Sequence, residues 1–144
     1  MSDKILLHGK LNVEIKSARD IPNFDRYKAW LDWGNDTDAH VQVVLGHDTL
    51  IKTKTVLDTS NPVWNESYVL DVCHFSTKLK VVLWDNDCFD LDEKIGSVEF
   101  LAGDLLNGEQ NEGWYDIKSD DGQSVNGQIN VLVQYTAHKV KEDA

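Results

Sequence analysis

The chain has 144 residues, of which 41% are hydrophobic and 27% charged, a composition typical of one folded domain that excludes a disordered or fibrous chain. Its formal net charge of −11 argues against nucleic acid as a partner, because phosphates would be repelled over most of the surface. No apolar run reaches the roughly 18 residues of a membrane span, so any membrane contact is peripheral. The two cysteines, Cys73 and Cys88, are too few for a disulfide framework, which favours the cytoplasm. We expect a monomeric single domain of residues 1–144, with its core at 9–136 and a frayed tail at 139–144.

Apolar and polar residues alternate with a period of two along eight short segments, which predicts half-buried β-strands. In chain order these segments are 11–16, 39–45, 49–56, 66–72, 78–84, 94–101, 113–117 and 127–135. Turn-rich sequences such as Gly46-His47-Asp48 separate them. Between Phe24 and Leu31, aromatic and apolar residues recur at helical spacing, which predicts a short helix within a loop. The pattern as a whole predicts an all-β fold, an eight-stranded antiparallel β-sandwich.

Acidic residues concentrate in two of the predicted loops. Five of the nine residues from Asp85 to Glu93 are carboxylates, and a second group consists of Asp32, Asp36 and Asp38. Loops at the same end of a sandwich lie side by side, so the two groups could form one pocket. Two carboxylates about 4 Å apart repel by about 4 kcal/mol at an effective dielectric near 20, so such a pocket requires a cation, and oxygen ligands favour calcium. For any single aspartate, an ordinary solvated turn is the alternative interpretation.

Three motifs together resemble the C2 domains, a family that includes protein kinase C, the synaptotagmins and perforin. The first motif is Asp32 and Asp38, six residues apart before a strand. The second is Asp85-x-Asp87, followed by Glu93 and then by Gly96 three residues later. The third is the signature segment, Asn61-Pro62-Val63-Trp64-Asn65-Glu66. The first strand is similar to the second strand of the synaptotagmin arrangement, and the resemblance therefore implies the permuted, type II topology.

The resemblance also implies which residues act, and it identifies calcium as the cofactor. The implied calcium ligands are Asp32, Asp38, Asp85, Asp87 and Glu93, with Asp90 as an auxiliary ligand and Asp92 as an alternative to Glu93. Trp33 and Phe89 occupy the loop-tip positions whose side chains enter lipid, although both could instead pack against the loop helix.

The family's phosphoinositide site is matched here by Lys52, Lys54 and Trp84. Two other positions of that site, His40 and Gln42, differ from the residues usual in the family. Lysines on an exposed strand can also serve solubility and protect a sheet edge. The implied partner is an anionic phospholipid membrane containing phosphatidylserine or a phosphoinositide.

The sequence is compatible with two functions. The first is a calcium-dependent phospholipid-binding module of the cytoplasm that becomes peripheral to the membrane. The second is a calcium-independent protein–protein interaction module in signalling or trafficking. An enzyme is not expected, because His74 follows Cys73 directly and would point to the opposite face of a strand, and the sequence contains no Gly-x-Ser-x-Gly motif.

Overall fold

A computed structural model describes residues 9–21, 37–72, 78–86 and 93–137 of the chain. The strands are β1 (Gly9–Arg19), β2 (Ala39–Leu45), β3 (Asp48–Lys52), β4 (Val63–Val72), β5 (Lys78–Asp85), β6 (Glu93–Leu101), β7 (Asn111–Lys118) and β8 (Ser124–Ala137), and a short 3₁₀ helix spans Ala102–Leu105. The all-β prediction is confirmed, and each predicted strand has a counterpart. The helix predicted at 24–31 lies outside the described residues. Within those ranges, no helix has the length and apolar composition needed to cross a bilayer.

The third strand is shorter than the sequence pattern predicts. It ends at Lys52, and Val56 forms only an isolated bridge with Ala39. The cause lies at Thr53, whose hydroxyl accepts a hydrogen bond from the Val41 backbone N–H at 2.9 Å. This side-chain oxygen takes the place of a backbone carbonyl in the ladder, so regular pairing stops at Lys52, four residues before the predicted end.

The strands form one antiparallel sheet in the order β3-β2-β5-β6-β7-β8-β1-β4. Strands β6 and β7 share a single pair, Ser97 with Lys118, so the sheet divides there into two four-stranded layers. β1 lies between β8 and β4, and the last strand is therefore a neighbour of the first, as the type II topology implies.

The core lies between the two layers and comes from alternate residues of each strand. Leu11, Val13 and Ile15 of β1 are buried, as are Val41 and Val43 of β2, while the residues between them are at least partly exposed or face the outer surface. This is the period-two burial of a sheet with one face in the core. Burying each such side chain contributes about 1.5 to 3 kcal/mol relative to leaving it in water.

The signature segment attaches β4 to the end of β1. The Ala18 N–H donates to the Pro62 carbonyl at 2.9 Å, and the Asp20 N–H donates to Asn61 Oδ1 at 3.1 Å. The indole of Trp64 is buried in the core. These contacts fix the point at which the chain leaves β1 and enters the first loop, which agrees with a structural role for the segment.

Glu66, the last residue of the signature segment, joins β4 to the segment that follows β3. Its carboxylate accepts one hydrogen bond from the Lys54 N–H, at 3.1 Å, and another from the Tyr68 hydroxyl. Partial burial, reinforced by the neighbouring Glu66 carboxylate, raises the pKa of Tyr68 to about 12. The contact closes one side of the sandwich near the loops that carry the acidic residues.

Candidate metal centre

Three of the predicted calcium ligands, Asp38, Asp85 and Glu93, lie among the described residues and at one end of the sandwich. Asp38 immediately precedes β2, Asp85 is the last residue of β5, and Glu93 is the first residue of β6. Asp85 has Ala39 as its register partner on one side and Glu93 on the other. Strand pairing thus brings together residues that are distant in the sequence. Asp32, Asp87, Asp90 and Asp92 lie outside the described residues.

Asp38 and Asp85 are in direct contact. The Asp38 N–H donates to Asp85 Oδ1 at 3.1 Å, and the Asn86 N–H donates to the Asp38 carbonyl at 2.7 Å. The Asp85 side chain is almost completely buried, with 2% of the residue exposed. A buried carboxylate must be paired or must coordinate a cation, because desolvation strongly disfavours its charged form. Position and burial therefore both suit Asp85 to a metal-ligand role.

A β-bulge decides which side chain stands opposite Asp85. Leu83 pairs with Gly96 but Trp84 pairs with Lys94, so β6 carries one extra residue at this point. With regular pairing, Asp85 would face Lys94 instead of Glu93. Lys94 instead forms an ion pair with Asp120, at 2.7 Å. The bulge thus places two carboxylates opposite each other and directs the lysine to the β7–β8 turn.

Gly96, beside the bulge, is required for steric reasons. A Cβ atom at this position would lie 2.6 Å from Ile117 Cγ2 and 2.7 Å from the Lys118 backbone oxygen. Gly96, the last residue of the motif that begins at Asp85, therefore permits the close approach of β6 and β7.

Asp58 is a further carboxylate at this end that the sequence analysis did not identify. Its N–H donates to Asp38 Oδ1 at 2.7 Å, and its own backbone is in the left-handed region at φ 58°. Aspartate tolerates this conformation better than most residues. The available sequence feature was an acidic residue three positions before Asn61-Pro62, which by itself indicates only a turn.

Asn86 connects the three loops at this end. Its backbone N–H donates to the Asp38 carbonyl, and its side-chain Nδ2 donates to Thr55 Oγ1 at 2.7 Å. Its Oδ1 atom is buried and accepts no hydrogen bond from the described residues. Asn86, which begins the β5–β6 loop, is therefore bonded to the end of the β1–β2 loop and to the β3–β4 loop.

The donor set at this end fits a hard cation. The described residues Asp38, Asp85 and Glu93 at this end carry carboxylate oxygens, which are the ligands that calcium prefers. In the described ranges alone, no three His, Cys, Asp or Glu side chains are close enough to hold an ion. A complete site therefore needs ligands from the loops at 22–36 and 87–92.

The predicted phosphoinositide face lies on β3, β2 and β5. Lys52 and Lys54 are exposed while Thr53 between them is buried, which agrees with the predicted alternation. Neither lysine forms an ion pair with a described residue. Lys52 is the register partner of Gln42, and Trp84 is the partner of His40, which is completely buried. Trp33 and Phe89 lie outside the described residues.

Comparison with known proteins identifies the family. The sequence model described as C2 domain matches residues 9–117. Synaptotagmin-4 of Arabidopsis thaliana is 33% identical over 97% of this chain and 23% of its own length. Phospholipase D delta of the same plant is 22% identical over 91% of this chain and 19% of its length. This chain therefore spans less than a quarter of either relative.

The fold of solved structures agrees with the sequence match. The calcium-bound structure of the paired C2 domains of extended-synaptotagmin 2 superimposes with a TM-score of 0.77 and 21% identity. The superposition covers 91% of this chain and 46% of that one. The family model, the strand order and this likeness agree: the chain belongs to the C2 domain family.

Proposed function

We propose that this chain binds anionic phospholipid membranes in a calcium-dependent manner, through the end of the sandwich that carries Asp38, Asp85 and Glu93. The observation that supports this most directly is the placement of three carboxylates by strand pairing, with the bulge putting Glu93 opposite Asp85. Carboxylates gathered at one end of a domain repel one another, and a bound cation would relieve that repulsion. The likeness to a calcium-bound pair of C2 domains adds support.

In this proposal, Asp32 and Asp87 complete the ligand set with the three described carboxylates, and Asp90 and Asp92 supply auxiliary oxygens. When bound, calcium supplies positive charge at the loop end and coordination positions that phosphate oxygens can occupy. The residues of the chain have separate tasks. Asp38 and Asp85 hold the base of the site, and Asn86 keeps the three loops in register.

Membrane contact in this proposal has an apolar and a basic part. Trp33 and Phe89 enter the boundary between headgroups and acyl chains, where aromatic side chains are favoured. Lys52, Lys54 and Trp84 contact a phosphoinositide headgroup. The two lysines suit this role because they are exposed and form no ion pair with any described side chain. The chain would act as a cytoplasmic protein that becomes peripheral to the membrane when calcium rises.

Vesicle co-sedimentation tests the proposal. The protein is mixed with vesicles of phosphatidylcholine alone or with added phosphatidylserine, each in calcium or in chelator. We expect sedimentation only with phosphatidylserine and calcium, and its loss in an Asp85→Asn, Asp87→Asn double variant. If calcium does not stimulate sedimentation of the wild-type protein, the proposal is rejected, and a protein–protein interaction module becomes the better explanation.

A further inference from the structure

Leu57 is the most exposed large hydrophobic side chain in the described ranges, with 70% of the residue in contact with solvent. It lies in the β3–β4 loop, which carries none of the predicted ligands. Single exposed hydrophobic residues are common on protein surfaces and need no explanation by themselves. What distinguishes Leu57 is how firmly its backbone is held next to the acidic residues.

Hydrogen bonds on both sides of Leu57 fix it beside the start of β2. The Val56 N–H and carbonyl both bond to Ala39, at 2.9 and 3.0 Å. On the other side, the Asp58 N–H donates to Asp38 Oδ1 at 2.7 Å. Because only two covalent bonds separate the Leu57 Cα from the Asp58 nitrogen, that Cα lies within about 5 Å of the Asp38 carboxylate. The exposed leucine therefore lies next to Asp38, one of the predicted ligands of the candidate metal centre.

We propose that Leu57 is a further membrane-inserting residue, which enters the boundary between headgroups and acyl chains when the candidate metal centre holds calcium. This inference rests on the proposed function. Asp38 and Asp58 beside Leu57 keep an anionic bilayer away until the local charge is neutralised, so insertion follows calcium binding. One leucine covers only a small part of the about 800 Å² that each side of a standard protein interface buries, whereas a single apolar side chain can add to anchoring at a lipid boundary.

The fold supplies a matched control for this proposal in Leu101. Leu101 is 40% exposed and ends β6, the strand that begins at Glu93. The nine residues of this extended strand place it about 26 Å from the acidic end. A Leu101→Ser variant therefore removes the same exposed side chain at the opposite end of the molecule.

The experiment compares Leu57→Ser with Leu101→Ser in calcium-dependent binding to phosphatidylserine vesicles, with calcium affinity also measured calorimetrically without vesicles. We expect Leu57→Ser to weaken vesicle affinity about tenfold, since inserting part of a leucine replaces the water around it with lipid. Leu101→Ser should stay within about twofold of wild type. Calcium affinity without vesicles should be unchanged in both variants, because the Leu57 side chain carries no ligand atom. A Leu57→Trp variant should bind vesicles more tightly than wild type.

Three results would overturn the proposal. If Leu57→Ser binds vesicles as the wild type does, the leucine stays outside the membrane while the proposed function stands. If its affinity for calcium falls equally without vesicles, Leu57 shapes the metal centre instead. If the wild-type protein shows no calcium-stimulated vesicle binding, the proposed function and the role of Leu57 fail together.

Discussion

Replacing Asp85 with asparagine removes the charge of this side chain but preserves its shape and its acceptor oxygen. Asp85 Oδ1 accepts the Asp38 N–H at 3.1 Å, and the asparagine Oδ1 can accept the same hydrogen bond. The fold should therefore tolerate the change, while a metal centre should lose a ligand charge. Without calcium, the Asp85→Asn variant should be more stable than the wild type. With calcium, it should be less stable.

The magnitude follows from the position of Asp85 opposite Glu93. Cross-strand partners have Cβ atoms about 5 Å apart, and two charges about 6 Å apart at an effective dielectric of 20 repel by about 3 kcal/mol. Because Glu93 is exposed, solvent screening reduces this to about 1 to 2 kcal/mol. Without calcium, Asp85→Asn should therefore raise the free energy of unfolding by about 1 to 2 kcal/mol.

Calcium should reverse the order of the two proteins. A ligand at a hundred times its Kd stabilises the folded state by about 2.7 kcal/mol, which for a chain of this length raises Tm by about 8 °C. We expect this rise in the wild type and less than about 2 °C in Asp85→Asn at the same calcium concentration. Thermal unfolding followed by circular dichroism, in chelator and in calcium, measures both quantities. Asp48→Asn, at the exposed start of β3 and the far end of the sandwich, is the control for loss of one negative charge.

Either of two results would refute this reasoning. If Asp85→Asn lowers the free energy of unfolding without calcium by more than about 1 kcal/mol, the fold itself requires the charge of Asp85. If the variant keeps the full calcium-dependent rise in Tm, Asp85 is not a ligand.

Three further predictions concern the surroundings of the site. Gly96→Ala should destabilise the protein by about 1 to 3 kcal/mol in denaturant unfolding, because the added methyl group collides with Ile117 and the β7 backbone; an unchanged midpoint would contradict the packing described. Asn86→Ala should weaken calcium affinity in calorimetry more than it changes Tm, since it removes the Nδ2–Thr55 hydrogen bond that ties the β3–β4 loop to the β5–β6 loop, while the backbone hydrogen bond to Asp38 remains; equal affinity would show that the loops hold their positions without the Asn86 side chain. The Tyr68→Phe variant, which lacks the hydroxyl that donates to Glu66, should be about 1 kcal/mol less stable than the wild type at neutral pH. Since the folded pKa of Tyr68 is raised from 10.0 to about 12, its stabilisation is complete below pH 10 and is lost as pH rises through 12, so the difference between wild type and variant should shrink over that window in unfolding titrations.

Strand periodicity predicted the fold well because burial on one face follows directly from side-chain alternation. β1 illustrates this, since Leu11, Val13 and Ile15 predicted a core face and are all buried. The end of β3 was predicted too late because alternation continues through 53–56, where the Thr53 hydroxyl replaces a backbone acceptor. Alternation reports which face a side chain occupies, and it carries no information on where a side chain interrupts the ladder.

The candidate site was predictable in part. Asp38 and Asp85 follow from acidic residues at strand ends, because antiparallel connections bring such ends together. Asp58 was missed because its place next to Asp38 depends on a backbone hydrogen bond between two loops, which no local sequence pattern encodes. The exposure of Leu57 depends equally on tertiary structure, since the sequence alone does not say whether a leucine in a loop is buried or exposed.

The bulge in β6 shows how one irregularity can set the chemistry of this end. Regular pairing would place Lys94 opposite Asp85, and an ammonium group there would compete with any metal ion for the buried carboxylate. The extra residue moves Lys94 to Asp120 and brings Glu93 into its place, which raises the density of negative charge where three strand ends meet. We expect that concentration to destabilise the protein when no cation is bound, and a cation that bound there would relieve the repulsion. Affinity at such a site is therefore set by strand register as much as by the number of acidic residues in the loops.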